Sequence, residues 1–195
     1  MTQTSLNNVS IRLKSGGHSF SGTAIDAALQ SASQSVEVVV LTPKTTLVPT
    51  EFFDVEHAAD YLIELGLAPT ISECVVHSVD KEGVIAVMAM SQKCYDELKE
   101  LIPSGVIFTS PLLEGDVPAE GSIIHLEDGV LYVRIYKGGL RFAEAFECKT
   151  DADVLYYLAT LNSVYNIYNM YACARGDVKR LQKLLKRLFK DFVCE

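Results

Sequence analysis

A chain of 195 residues with 49% hydrophobic and 22% charged residues has enough apolar mass to bury about 70% of its unfolded surface, which excludes disorder as its main description. Its formal charge of -8 argues against nucleic acid as a partner for the whole surface. No apolar run approaches the roughly 18 residues that cross a bilayer, so no membrane span is expected, and the short polar stretch Met1 to Asn8 lacks a leader's apolar region and points to the cytoplasm.

Residues 9–14 alternate Val9, Ile11 and Leu13 with Ser10, Arg12 and Lys14, the pattern of a half-buried strand. Gly16 and Gly17 supply the positive φ angles of a tight hairpin, and a second strand is expected at 18–24. Residues 25–29 fit either a continuation of that strand or a helical turn. Beyond a Ser/Gln-rich loop, the β-branched run at 36–41 reads as a strand covered on both faces. A short extended piece at 46–48 ends at Pro49. Asp54 then stands as an N-cap for a helix in which Val55, Ala58, Ala59, Leu62 and Leu65 recur at helical spacing up to Gly66. Strands at 74–79 and 84–90 flank a turn at 80–83. Ser91 caps a helix over 92–102 with Cys94, Tyr95, Leu98, Leu101 and Ile102 on its inner stripe; Pro103 and Gly105 end it, and 106–109 returns as a strand.

Residues 112–121 combine Gly115, Pro118 and Gly121 with Glu114, Asp116 and Glu120, a composition that turns easily and packs poorly. They mark a linker between a first unit at 1–111 and a second at 122–195. The second opens with a strand at 123–127, the Asp128–Gly129 hairpin signal, and an alternating strand at 130–136. Gly138 and Gly139 turn it into a third strand at 140–148. Thr150 with Asp153 forms a capping box with Asp in place of Glu, starting a helix over 151–164 that buries Val154, Leu158 and Leu161. A strand at 168–174, a helix from Gly176 and Asp177 to Leu188, and a short strand at 192–194 complete the chain.

Three antiparallel strands followed by helix, strand, helix, strand, read twice, imply mixed sheets with flanking helices. The fold class is therefore α/β, two ribonuclease-H-like units in tandem, as in the actin, sugar kinase and heat-shock ATPase group. Three separated motifs, SIRLKSGGHSFSG (10–22), TLVPTEFF (46–53) and AFECKTDADVLYYL (145–158), resemble an uncharacterised bacterial family of unknown function. The resemblance spans residues 9–194. It implies an actin-like ATPase fold, with distant likeness to actin-like pilus-assembly and secretion proteins, and it brings no activity.

In nucleotide-binding members of that group the first hairpin of each half wraps phosphate, and an Asp near the strand end orients metal or water. The corresponding candidates for nucleotide or anion binding are Ser15, Gly16, Gly17 and Ser19 in the first hairpin, Asp128 and Gly129 in the second, and Gly176 at the junction that holds adenosine. The first hairpin offers N–H groups but no carboxylate to organise magnesium. Asp128–Gly129 is also an ideal two-residue turn, and Arg175–Gly176–Asp177 has one glycine where a pair is usual, with Asp177 serving as a helix cap. Asp26, Glu37, Asp128 and Asp153 do not assemble a nuclease motif. Five scattered cysteines read as reduced core residues, and four histidines are not spaced as metal ligands. No catalytic residue and no metal ligand is assigned, and no cofactor is expected. Lys179, Arg180, Lys183, Lys186, Arg187 and Lys190 read as a solvated face opposite an apolar stripe, in preference to a docking face. The expected function is that of a degenerate actin-like scaffold that binds a protein partner or itself; the alternative is a nucleotide-binding ATPase, using ATP and magnesium, with divergent phosphate loops.

Overall fold

The alternation at the start of the chain places Ile11 and Leu13 in the interior and Arg12 and Lys14 on the open side of β1 (Ser10–Lys14). The structure, a computed structural model, describes residues 10–14, 36–102 and 105–195; the hairpin expected at Gly16–Gly17 and the strand expected at 18–24 lie outside them. β2 (Val36–Leu41) runs parallel to β1, from Ser10↔Glu37 to Lys14↔Leu41. Its Val36, Val38, Val39, Val40 and Leu41 are all buried, as suits a strand covered on both faces. This pairing differs from the antiparallel opening expected of the first unit. Parallel neighbours require a crossover, so β2 is not the third strand of a meander.

The chain then leaves that sheet. β3 (Thr45–Pro49), β4 (Glu73–His77) and β5 (Val84–Ser91) form a separate antiparallel sheet in the order β3-β5-β4, which carries α1 (Ala58–Glu64) and α2 (Gln92–Leu101). The Asp54 side chain accepts from the Glu56 amide and opens a 3-10 turn, Val55–His57, that feeds α1. The regular helix is therefore shorter than its periodicity suggests. Val87 and Ala89 pack with Ala58 and Leu62 on one face of the sheet, while Ala86, Met88 and Met90 join Ile11, Val38 and Leu98 on the other. Burial on both faces accounts for the unbroken apolar run of β5. β6 (Val106–Thr109) comes back parallel to β2. Residues 42–105 are thus inserted between two neighbouring strands, and the parallel bridge Ser78↔Phe108 links the two sheets.

The expected linker is packed at its start. Ser110 caps a 3-10 turn, Pro111–Leu113, and Leu112 is buried against Val130 and Tyr132. Beyond it, β7 (Glu120–Glu127), β8 (Val130–Lys137) and β9 (Leu140–Glu147) pair antiparallel. Asp128 (φ 49) and Gly129 (φ 75) adopt the positive angles of a two-residue hairpin turn. The reciprocal Thr150–Asp153 capping box begins α3 (Asp151–Tyr165), whose Val154, Leu158 and Leu161 face the sheet. Asn166 (φ 58) ends it in the left-handed region and leads into the 3-10 turn Ile167–Asn169. For that reason β10 (Ala172–Gly176) starts four residues later than expected from 168. Asp177 caps α4 (Val178–Leu185), and β11 (Phe192–Cys194) lies parallel to β10.

The five-stranded order β11-β10-β7-β8-β9, three antiparallel strands followed by two parallel ones on the far side of the first, is the ribonuclease-H-like arrangement expected of the second unit. Strand β8, between β7 and β9, is buried on both faces. Leu131, Val133 and Ile135 meet α3 and α4, while Tyr132 packs with Leu47 and Leu112, and Arg134 reaches the Glu114 carbonyl. No helix among the described residues is long and apolar enough to cross a membrane.

Candidate functional site

β1 and the end of β7 meet where the two halves of the chain approach, and there the open side of β1 faces acids. Arg12 Nε donates to Glu127 Oε1 at 2.7 Å, and Nη1 and Nη2 donate to Glu114 Oε1 and Oε2 at 2.6 and 3.0 Å. A further bond from Nη2 reaches Glu127 Oε2. One guanidinium thus grips two carboxylates with paired bonds, the geometry in which arginine binds most strongly. His125 is buried beneath them; its Nε2 donates to Glu127 Oε2 at 2.9 Å, and its ring meets Tyr132 edge-on. Lys14 Nζ lies 3.0 Å from Asp128 Oδ1, tying the end of β1 to the β7–β8 turn.

Burial works against the charge on Glu127, yet hydrogen bonds from His125 and Arg12, with the Arg12 charge, hold its carboxyl down at about 2. Burial likewise opposes the Arg12 cation, and the two carboxylates outweigh it and raise its pKa. The cluster borders a cleft of about 570 Å³ whose walls also bring Glu37, Lys81, Arg175 and Glu195. Arg175 pairs with Glu195. Apart from His125, the walls hold three cations (Arg12, Lys81, Arg175) against four carboxylates (Glu37, Glu114, Glu127, Glu195).

Of the residues singled out from sequence, Ser15, Gly16, Gly17 and Ser19 lie outside the described residues, as does Asp26. Asp128 and Gly129 form the hairpin turn, and Asp128 faces Lys14. Gly176 lines the cleft; a Cβ there would lie 2.2 Å from the Leu126 carbonyl oxygen and 2.8 Å from the His125 ring. Its backbone presses directly on β7, and that close approach accounts for a glycine at this point. Glu37 borders the cleft while Asp153 caps α3, so they do not converge. Sequence reasoning missed Arg12, Glu114, His125 and Glu127. The one available signal was an arginine in the polar register of a strand between two buried positions.

A family model described as "Protein of unknown function (DUF3822)" matches residues 25–167. The chain belongs to this family. No curated protein matches it. Among solved structures it is similar to a Bacteroides thetaiotaomicron protein with actin-like ATPase fold and unknown function, with a TM-score of 0.71 at 17% identity over 96% of this chain and 90% of that one. This likeness shows the fold: actin-like ATPase. Weaker likenesses are to the cytoplasmic domain of EpsL, an inner membrane component of the type II secretion system of Vibrio cholerae, with a TM-score of 0.49 at 16% identity over 95% and 84% of the two chains, and to an AlfA filament bound to AMPPNP, with a TM-score of 0.41 at 12% identity over 96% and 62%.

A fold of this name raises the question of nucleotide and magnesium, and the described residues of this DUF3822 member do not fit them. A polyphosphate entering the cleft would meet a surplus of carboxylates. Glu114 and Glu127 are committed to Arg12, and Asp128 to Lys14. Among the described residues no three His, Cys, Asp or Glu side chains converge to hold a metal ion.

Proposed function

We propose that this protein is a degenerate actin-like scaffold of the bacterial cytoplasm that binds a protein partner or another copy of itself and does not hydrolyse ATP. The observation that carries this reading is the Arg12 clasp: in the cleft that Gly176 also lines, the chain's own guanidinium sits between Glu114 and Glu127. With Glu114 and Glu127 already paired to Arg12, the cleft leaves magnesium no free carboxylate of that pair to bind.

On this reading the contact surface lies on the turns, helix and loops that the inserted segment adds around its sheet. Phe52, Val55, Ile63, Leu65, Ile71 and Val79, six of the thirteen large apolar side chains exposed among the described residues, fall between 52 and 79. That concentration in sequence makes this segment the first place to look for an interface. The basic residues of α4 carry less weight: the helix buries Leu181 and Leu185, and Arg180 is paired with Asp151.

Thermal unfolding with and without ATP and magnesium tests the proposal. The expected result is no saturable shift. Binding at 100 times the dissociation constant would add about 2.7 kcal/mol, and a stabilisation of that kind would replace this reading with the nucleotide-binding alternative.

A further inference from the structure

Arg134, in the centre of β8, is only 3% exposed. Its Nη1 donates to Tyr136 Oη at 3.2 Å and its Nη2 to the Glu114 carbonyl. No carboxylate of the described residues is ion-paired with it, because the Glu114 side chain is committed to Arg12 and Arg175 takes Glu195. Lys81, in the β4–β5 turn, is an exposed residue whose Nζ reaches in to donate to the Leu113 carbonyl, with no carboxylate partner among the described residues. For Arg134, a buried charge whose only partners are neutral acceptors, most of the compensation that desolvation requires is missing.

Both cations line a cavity of about 520 Å³ between the inserted sheet and the β8–β9 hairpin. Leu47, Val84, Leu113, Val117 and Leu140 supply much of the remaining wall. The volume lies within the range of small-molecule pockets, which are mostly apolar with a few placed polar groups. The connector 113–115 runs between this cavity and the Arg12 clasp: Arg134 and Lys81 hold its carbonyls, the Glu114 side chain faces Arg12, and Lys81 borders both spaces.

We propose that this cavity binds a small amphipathic carboxylate, with an apolar body against the leucine and valine walls and the anionic end at Arg134 and Lys81. The planar fork of a guanidinium matches the two oxygens of a carboxylate. Glu82 at the rim opposes a doubly charged group such as phosphate. The inference does not rest on the scaffold reading: Arg134 and the apolar walls line this cavity and not the Arg12 cleft, and neither ATP nor a protein partner is required.

Isothermal titration of the full chain with sodium octanoate, and with octan-1-ol as the uncharged counterpart, tests it. The expected result is saturable one-to-one binding of octanoate, with the alcohol weaker by about tenfold or more, the size of a charge-assisted hydrogen bond to a buried group. Arg134→Gln weakens octanoate by about tenfold and leaves the alcohol unchanged. Lys81→Met, at an exposed position, does the same by about threefold and decides the matter if the Arg134 variant does not fold. Absence of saturable octanoate binding, equal affinity for acid and alcohol, or an octanoate affinity untouched by Lys81→Met would overturn the proposal.

Discussion

Replacing Arg12 by Met removes the cation shared by Glu114 and Glu127 while keeping the aliphatic stem. Arg12 is 36% exposed, and its two acids are 22% and 25% exposed. That places the cluster between a surface pair, at about 0.2–1 kcal/mol, and the breaking of a buried one, at about 3–5 kcal/mol. Two carboxylates are gripped at once, and both repel when the cation goes, so a loss of about 2 kcal/mol is expected at neutral pH. Urea unfolding measures it, and a cycle with Glu127→Gln should return a coupling of about 1 kcal/mol.

The acid limb provides a second reading of the same variant. The Glu127 carboxyl is held at about 2 against a starting value of 4.5. Its folded pKa is depressed, so the stabilisation is present above about 4.5 and is lost as pH falls toward 2. The full shift corresponds to about 3 kcal/mol, which solvent screening at a side chain one quarter exposed reduces to about 1–2 kcal/mol. Arg12→Met should flatten the stability curve between pH 4.5 and 2, because one of the two hydrogen-bond sources is gone. An unchanged slope together with a loss under about 0.5 kcal/mol would refute the account of Arg12 as the clasp.

Gly176→Ala puts a Cβ 2.2 Å from the Leu126 carbonyl at a φ of +78; a cost of about 3 kcal/mol and a Tm lower by about 6–12 °C are expected by calorimetry, and a change below about 1 kcal/mol would show that the β10 end relaxes freely. Leu158→Ala, at a fully buried site facing the sheet, should cost about 2–5 kcal/mol in urea unfolding; a smaller loss would mean that α3 is loosely packed. Thr150→Ala breaks the capping box and should cost about 1 kcal/mol, with far-UV circular dichroism reporting whether the first turn frays. The combined change of Lys183, Lys186 and Arg187 to Glu should leave a partner's recovery in a pull-down unchanged, whereas its loss would make α4 the docking face.

The second half of the chain was legible because its instructions are local. Asp128–Gly129, the Thr150–Asp153 box and the Asp177 cap each act within four residues, and the spacing of Val154, Leu158 and Leu161 states which face of α3 is inside. The exception was Asn166, whose left-handed angle costs an extra turn before β10 and carries no strong sequence mark. The first half was harder for a physical reason. A β-branched run such as 36–41 announces a strand buried on both sides without naming its neighbours, and the parallel pairing with β1 and the insertion at 42–105 are set by contacts distant in sequence. The candidate site shares that origin: Arg12 meets residues 102 and 115 positions away. No spacing rule reaches so far, and Glu114 looked like one more acid in a polar linker.

Those distant contacts converge on one short segment. Lys81 holds the Leu113 carbonyl, Arg134 holds the Glu114 carbonyl, Arg12 grips the Glu114 side chain, and the Arg175 guanidinium packs so closely on Gly115 that a Cβ there would sit 2.3 Å from it. The cations come from the β1 sheet, the inserted sheet and the five-stranded sheet, so the segment 113–115 is pinned by each of the three sheets among the described residues. A short connector between packed halves is the usual place for a hinge to absorb backbone rotation, and here four cations resist that rotation. Where a ligand bridges two halves, its concentration sets how firmly they are joined. In this chain the bridge is built in, so the stiffness of the junction should respond to acid and ionic strength: protons remove the Glu127 charge, and salt screens the partly exposed Arg12 pairs.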